Sequence, residues 1–251
     1  MPTRIEIVPC LSDNYAYLVK SGDACAVVDP SEAAPVRAAL AARGWTLTHI
    51  LNTHHHPDHC GGNLELKRET GAIVVGPGKD AARIPGIDVG VTEESGWEFD
   101  GRKVQVLEVP AHTRGAITFV IDGNAFTGDT LFSMGCGRLF EGDATMMWNS
   151  LSKLMTLPDD TEIYCGHEYT ESNGRFALTL EPRNLALQKR MEEVKALRAA
   201  KRPTVPVSMA TEKATNPFLR PDQPEIRKSL GMESADTVAA FHEIRERKNR
   251  F

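Results

Sequence analysis

In the first two-thirds of the chain, the apolar positions form short runs separated by turn residues, as in a mixed α/β protein. Runs rich in β-branched residues predict eight strands, at residues 5–8, 15–19, 26–29, 49–53, 72–75, 104–109, 117–121 and 163–165. Helical spacing of apolar residues predicts helices at residues 35–43, 64–70 and 145–157. We therefore expect a β-rich body with a few helices on its surface.

After Gly174 the apolar residues change to helical spacing. Leu187, Met191, Val194 and Leu197 recur at intervals of four and three, which places them on one helix face. A proline-rich connection at residues 203–224 precedes a last helix, predicted from about Ala235 with Ser234 as its N-cap. The pattern divides the chain into a mixed body, residues 1–172, and a small helical domain, residues 173–251.

The composition is that of a globular protein, with 251 residues, 41% hydrophobic and 25% charged. The longest stretch without a charged residue, 44–57, is shorter than the roughly 20 residues of a membrane span. The N-terminus lacks the pattern of a signal peptide, and the five cysteines form no CxxC pair. We therefore expect a cytoplasmic protein that contacts no membrane.

Charge is distributed unevenly around a net value of -5. Acidic residues outnumber basic ones before residue 170, and basic residues outnumber acidic ones after it. A basic C-terminal part suits an anionic partner, although a solvated helical surface explains the same excess. The acidic body offers no basic, aromatic-rich groove for nucleic acid.

Residues 54–59, HHHPDH, place four of the chain's eight histidines and one carboxylate directly after a predicted strand. Since side chains alternate along an extended chain, His54 and His56 should point to one side and His55 to the other. Asp58 and His59 follow in the next turn and can reach the same cavity. Imidazole and carboxylate are ligands of zinc, iron and manganese. The cluster predicts a metal site, completed by residues from elsewhere in the chain.

Three further residues lie beside turn residues at the ends of β-type runs: His112 after the strand 104–109, Asp129 after the short run 125–126, and His167 after the strand 163–165. Strand ends gather along one edge of a sheet, where α/β folds place their sites. With the cluster, they give five histidines and two aspartates that face inward. This number suffices for two metals with a shared carboxylate.

These motifs resemble the metallo-β-lactamase superfamily, whose members form an αββα sandwich with metals at one edge between two sheets. More specific runs resemble glyoxalase II, the hydroxyacylglutathione hydrolases. They are residues 128–132 (GDTLF), 135–142 (GCGRLFEG), 164–170 (YCGHEYT), 13–15 (DNY) and 216–220 (NPFLR), together with the basic C-terminus. The resemblance covers nearly the whole chain, including the helical domain.

The resemblance implies two divalent metal ions, with zinc expected and iron or manganese as alternatives. The first metal would be held by His54, His56 and His112, and the second by Asp58, His59 and His167. Asp129 would bridge them. Asp58 and Asp129 are thereby implied in catalysis, with a metal-bound hydroxide as the nucleophile.

For glutathione, the resemblance implies contacts from Arg138, Phe140, Tyr169, Arg245 and Lys248. Arg138 stands where some members have lysine. Phe140 stands where others have tyrosine, so one hydroxyl contact to the peptide is absent. In the last helix, Val238, Phe241, Arg245 and Lys248 share one face, so the cations continue the face that packs inward.

A second departure from the family pattern surrounds His112. Ala111 stands where members often have glycine or cysteine, and Ala116 stands where another histidine is common. Neither position is expected to bind metal.

The implied reaction is hydrolysis of S-D-lactoylglutathione to D-lactate and glutathione, the second step of methylglyoxal detoxification. Two divalent metals would lower the pKa of a bridging water so that it supplies hydroxide near neutral pH. A thiolate leaving group, of parent pKa about 8.5, needs no dedicated general acid. Cys136 and Cys165 are then structural, and the protein is expected to act as a monomer on a small molecule.

Three alternatives stay open on sequence alone. A mononuclear iron persulfide dioxygenase shares the histidine motif but uses one metal. Another hydrolase of the same fold would act on a different substrate. A non-catalytic metal sensor would fill its coordination with protein ligands and leave no open position.

Overall fold

The computed structural model describes residues 3–251. Its first sheet has six strands in the order β1-β2-β3-β4-β5-β6. They are β1 (Arg4–Cys10), β2 (Asn14–Ser21), β3 (Ala24–Val28), β4 (His49–Leu51), β5 (Ile73–Pro77) and β6 (Val89–Val91). From β3 to β6 the strands run parallel. Their connections carry α1 (Ala33–Arg43), α2 (Pro57–Cys60), α3 (Asn63–Thr70) and a 3₁₀ helix at Gly78–Arg83.

The second sheet has the order β14-β13-β10-β9-β8-β7. Its strands are β7 (Trp97–Phe99), β8 (Arg102–Glu108), β9 (Ile117–Ile121), β10 (Asn124–Gly128), β13 (Glu162–Cys165) and β14 (Val207–Ser208). A separate hairpin of β11 (Leu131–Phe132) and β12 (Gly135–Cys136) follows β10, and α4 (Ala144–Leu154) comes next in the chain.

The two sheets pack face to face because their side chains alternate between two apolar surfaces. In β2, Tyr17 points between the sheets and meets Phe126 and Tyr164 of the second sheet. Its neighbour Leu18 points outward, against the buried face of α1 and α3. The outer face of the second sheet is covered by α4 and the C-terminal helices. This αββα sandwich confirms the predicted fold.

The segments that bear the candidate ligands all leave the sandwich at one edge. Residues 54–59 follow β4, His112 lies between β8 and β9, Asp129 follows β10, and His167 follows β13. The parallel pairing of β10 with β13 brings their ends together. A hydrogen bond of 2.9 Å from Tyr15 N to Gly166 O joins the two sheets at the same edge.

Five helices form most of the C-terminal part: α5 (Thr170–Leu180), α6 (Leu185–Ala199), α7 (Met209–Thr215), α8 (Pro224–Leu230) and α9 (Thr237–Arg250). The predicted apolar face of α6 is confirmed for Leu187, Met191 and Val194, which are buried, while Leu197 is half-buried. The division of the chain at residue 172 stays a prediction.

The predicted start of the last helix was wrong. Asp236, rather than Ser234, is the N-cap of α9, and its carboxylate accepts a 2.9 Å hydrogen bond from Ala239 N. Ser234 lies in a preceding turn, closed by a bond from Ala235 N to Met232 O. Ser234 and Asp236 are two positions apart, and serine and aspartate are about equally favoured as N-caps, so the sequence alone did not distinguish them.

The proline-rich connection is also more ordered than expected. It contains β14, α7 and a 3₁₀ helix at Pro217–Leu219. Strands β6, β7, β11, β12 and β14 were missed because two or three residues are too few to show a periodic pattern. Strand β10 was also absent from the predicted strands, since only the short run 125–126 was recognised there.

Buried Glu212 of α7 fixes the hairpin beside the candidate site. Its carboxylate accepts hydrogen bonds from Ser133 Oγ (3.0 Å), Met134 N (2.9 Å) and Asn216 Nδ2 (2.9 Å). Asn216 Nδ2 also lies 3.0 Å from Gly135 O. The C-terminal helices are thus tied to the segment that follows Asp129.

Within residues 3–251, no helix is both long enough and apolar enough to cross a membrane.

Candidate metal centre

Three imidazole nitrogens converge at the ligand-bearing edge. His56 Nδ1 lies 3.1 Å from His54 Nε2 and 3.1 Å from His112 Nε2. Burial and the neighbouring imidazoles lower the pKa of His56 to about 4, and burial also lowers the pKa of the other two. Neutral imidazoles present lone pairs, so this first group can hold a metal ion.

Asp58, His59 and His167 form a second group, whose ligand atoms lie within 4.8 Å of one another. His59 Nε2 lies 3.3 Å from His167 Nε2, and Asp58 Oδ2 lies 3.5 and 3.4 Å from these two nitrogens. The hydrogen bond with His167 holds the pKa of Asp58 well below its usual range. Despite burial, the neighbouring carboxylates raise the pKa of His59 well above its usual value and the pKa of His167 to about 10. This group therefore combines an ionised carboxylate with two imidazoles that must release a proton when they bind a metal ion.

Asp129 lies between the two groups. Its Oδ2 is 3.5 Å from His112 Nε2 and 3.3 Å from His167 Nε2. Its Oδ1, 3.4 Å from His59 Nε2, is buried without a hydrogen-bond partner among residues 3–251. A buried carboxylate oxygen without a partner is costly, and a cation removes that cost. The donor set therefore fits divalent metal ions.

Other polar side chains contact the candidate ligands of the second group on the side away from the cluster. Asp13 Oδ1 lies 2.8 Å from His167 Nδ1, and Asn14 Nδ2 lies 3.2 Å from Asp58 Oδ2. Such outer partners orient metal ligands. The sequence analysis gave these two residues no role, because neither lies near its partner in the chain.

Asp29 is a further support that the sequence analysis missed. It forms a third set of close ligand atoms with His54 and His59. Its oxygens are already occupied, since they accept hydrogen bonds from Thr53 N (2.8 Å) and Thr53 Oγ1 (2.6 Å), and Oδ2 lies 3.1 Å from His59 Nδ1. We therefore interpret Asp29 as an outer support rather than a ligand.

The predicted orientation of His55 is confirmed. Its ring turns away from the two groups, and its Nδ1 lies 3.1 Å from Asp80 Oδ2. Cys136 and Cys165 are buried, and burial raises the pKa of their thiols to about 11 and about 12. Both thiols are therefore protonated at neutral pH, as expected of structural cysteines.

A cavity of about 560 Å³ opens onto the two groups. The five residues predicted to contact substrate all line it: Arg138, Phe140, Tyr169, Arg245 and Lys248. It also contains residues that the sequence analysis did not single out, namely Phe132, Ser172, Asn173, Asn249 and Phe251. One wall is therefore metal-binding and acidic, and the opposite wall is cationic.

The cations of α9 are held firmly in that wall. Arg245 is 4% exposed, donates from Nη1 to Cys136 O at 2.7 Å, and lies over the Phe218 ring. Lys248 Nζ lies 5.1 Å from the centre of the Phe251 ring. Burial, and then repulsion from Arg245 and other cations, lowers the pKa of Lys248 to about 8.

Aromatic rings line the cavity on both sides of the candidate ligands. The Tyr169 ring stacks on His167, with 4.7 Å between ring centres. Phe140 is 61% exposed and lies 5.2 Å from the ring of His112. Tyr169 thus borders the second group, and Phe140 borders the first.

Family models match the two parts of the chain. Residues 12–167 match the metallo-beta-lactamase superfamily, and residues 168–251 match the hydroxyacylglutathione hydrolase C-terminus. The two matches, with the fold and the two ligand groups, place the chain among metal-dependent hydrolases.

Curated relatives identify the family to which the chain belongs within this class of hydrolases. The chain is 52% identical to hydroxyacylglutathione hydrolase of Methylococcus capsulatus, over 97% of both chains. It is also 52% identical to the enzyme of that name from Rhodospirillum rubrum, over 98% of both chains. The chain belongs to the hydroxyacylglutathione hydrolase family.

Solved structures agree with this fold. ETHE1 from Myxococcus xanthus is 27% identical, with a TM-score of 0.70 over 99% of this chain and 92% of that one. TTHA1623, solved in a di-iron-bound form, is 29% identical, with a TM-score of 0.54 over 65% of this chain and 91% of that one.

The central position of Asp129 predicts a contrast with His55. Asp129→Asn should remove most of the bound metal, because it neutralises the carboxylate that faces both groups. His55→Ala should retain metal at saturating concentration, because its ring faces away. Metal analysis of both purified variants measures this difference. Loss of metal from His55→Ala with retention in Asp129→Asn would show that the orientation of this loop is misassigned.

Proposed function

We propose that the protein hydrolyses S-D-lactoylglutathione and similar 2-hydroxyacyl thioesters of glutathione, the second step of methylglyoxal detoxification. The observation that carries this proposal is the cavity, in which two ligand groups sharing Asp129 face the cationic wall of α9. The family of the chain supports the same substrate class.

In the proposed site, His54, His56 and His112 would hold one divalent ion, and Asp58, His59 and His167 would hold a second. Asp129, which lies between the two groups, would serve both. When bound, such ions supply Lewis-acid activation of water and of the thioester carbonyl. Imidazole with carboxylate suits zinc, iron and manganese, and we expect zinc. The di-iron form of TTHA1623 supports a two-metal site.

The residues of the chain bind and orient the substrate. Glutathione carries two carboxylates, and Arg138, Arg245 and Lys248 provide the cations along the cavity. We assign Arg245 and Lys248 to the glycyl end, far from the thioester. Charge-assisted contacts of this kind are worth about 1.5 to 3 kcal/mol each.

The thioester end lies at the metal-binding wall. Asp58 is ionised and half-buried there, so its carboxylate can orient a reacting water by accepting a hydrogen bond. Water adds to the carbonyl carbon and releases its protons to the solvent, the carbon–sulfur bond breaks, and the sulfur leaves as a thiolate, so that the products are a carboxylate and glutathione. Burial raises the pKa of Tyr169 to about 12, so its hydroxyl keeps its proton and can donate to the peptide.

The competing functions have less support. A one-metal dioxygenase would have no use for the second group, which is complete in this chain. A sensor would close its coordination, whereas this cavity leads directly to the candidate ligands. Monomeric state and cytoplasmic location stay predictions.

The two-metal proposal predicts that one metal ion can be lost while the other stays bound. His167→Ala removes a ligand of the second group only, so about one metal equivalent should remain and turnover should fall by orders of magnitude. His242→Ala, at an exposed histidine of α9, is the matched control and should keep both metal equivalents and normal turnover. Two tightly held metals and a normal rate in His167→Ala would refute the role of His167.

Loss of the α9 cations should impair binding rather than chemistry. Contacts to the glycyl end are equally strong in the ground and transition states, so Arg245→Ala with Lys248→Ala should raise KM tenfold or more at nearly constant kcat. Because Arg245 also bonds to Cys136 O, the single variant Lys248→Ala is needed and should show the same pattern. Arg250→Ala, an exposed cation of the same helix, is the control. An unchanged KM would assign these cations a structural role.

The lowered pKa of Lys248 predicts a pH dependence. Below about pH 8 its ammonium is charged and attracts the substrate carboxylate, and above it the charge is lost. Wild-type kcat/KM, which reports groups of the free enzyme, should therefore fall as the pH rises through about 8. Lys248→Arg keeps its charge, so this fall should be absent from its pH profile. An identical fall in that variant would locate the titration elsewhere.

A further inference from the structure

Asp80 is a buried carboxylate that the proposed reaction does not use. It lies in the 3₁₀ helix Gly78–Arg83, and it is 6% exposed. Its Oδ2 accepts a 3.1 Å hydrogen bond from Gly115 N and lies 3.1 Å from His55 Nδ1. Its Oδ1 lies 3.5 Å from Arg83, whose guanidinium makes closer contacts with Glu141. The main partners of Asp80 are therefore His55 and Gly115.

These two partners belong to different ligand-bearing loops. His55 lies between His54 and His56, and Gly115 lies three residues after His112. One carboxylate oxygen thus joins the two loops that supply the first imidazole group. The approach is close, since a Cβ at Gly115 would lie 2.5 Å from Asp80 Cγ. Only glycine leaves room for this contact.

The first group lacks the direct carboxylate support of the second. In the second group, Asp29 and Asp13 contact the outer nitrogens of His59 and His167. Within residues 3–251, no carboxylate contacts the outer nitrogen of a first-group histidine. His54 Nδ1 meets Thr53 Oγ1 at 3.0 Å, and His112 Nδ1 meets Arg138 O at 3.0 Å.

We propose that Asp80 is a positioning residue that fixes the spacing of the two loops carrying His54, His56 and His112. His56 Nδ1 lies about 3.1 Å from both His54 Nε2 and His112 Nε2, so the three nitrogens that would bind one cation are already crowded together without it. By holding both loops through one oxygen, Asp80 keeps the group assembled before metal binds. Asp80 contacts neither the candidate ligand atoms nor the substrate cavity.

The test is metal affinity, measured by adding Zn²⁺ to metal-free protein in competition with a chelating dye. Asp80→Ala should weaken one metal equivalent by up to about 10-fold, the lower limit for removing a direct partner of a ligand, because Asp80 acts through the loops, and it should leave the other equivalent unchanged. Asp80→Asn should lose less zinc affinity, because the asparagine side chain can accept a hydrogen bond from Gly115 N and donate one to His55. Asp13→Ala, at the support of His167, should weaken the other equivalent instead.

Asp88→Ala is the matched control. Asp88 also accepts from a backbone amide, Val74 N at 2.9 Å, and from a cation, Lys67. It joins β5 to α3 and contacts no ligand-bearing loop, so its removal should leave both zinc affinities unchanged. Urea unfolding of the metal-free variants separates positioning from stability. A lower unfolding midpoint for Asp80→Ala with both affinities intact, or equal weakening of both equivalents, would overturn the inference.

The inference rests on the proposed assignment of the first group to one metal, and the same titration separates the two ideas. If wild-type protein binds two equivalents and Asp80→Ala binds them equally well, only the role of Asp80 fails. If wild-type protein binds a single equivalent, the two-metal proposal fails. Weakening of that equivalent by Asp80→Ala still supports Asp80, and unchanged binding overturns both.

Discussion

The close approach of imidazole and carboxylate groups at one edge of the sandwich is the constraint on which the rest of the structure depends. Asp129 Oδ1 has no hydrogen-bond partner among residues 3–251, and the nitrogens of both groups approach within about 3.3 Å. Burying so many polar groups together is costly. The fold keeps them together by fixing each ligand-bearing segment to the end of a strand. Because these segments come from both sheets, the packing between the sheets determines the distance between the groups.

The two halves of the cluster are stabilised in different ways. The second group is supported directly, since the outer nitrogen of each of its histidines meets a carboxylate. The first group is supported through the backbone, by the contacts of Asp80 with His55 and Gly115. Direct carboxylate contacts raise the basicity of a ligand. The second group therefore provides electron-rich ligands, and the geometry of the first depends on the positions of two loops.

Local signals in the sequence predicted most of the sandwich and the candidate ligands. The run 54–59 is dense enough to be recognised without any knowledge of contacts, and strand alternation correctly turned His55 away. The outer supports carried no such signal. Asp29 directly follows β3 and Asp80 lies in a 3₁₀ helix, and their main partners are 24 or more residues away in the chain. Ser234 was predicted as the N-cap of α9 instead of Asp236 because serine and aspartate are about equally favoured at that position.

The C-terminal helices belong to the site because of how they hold the hairpin that follows Asp129. Glu212 and Asn216 bind the turn between β11 and β12, and Arg245 donates to Cys136 O at its end. The cationic wall and the central carboxylate are therefore joined by one short, fully buried segment. The contact of Arg245 with Cys136 O therefore fixes the distance between the cations of α9 and the candidate metal ligands. A thioester held at its glycyl end would thus place its carbonyl at a position set by the backbone rather than by flexible side chains.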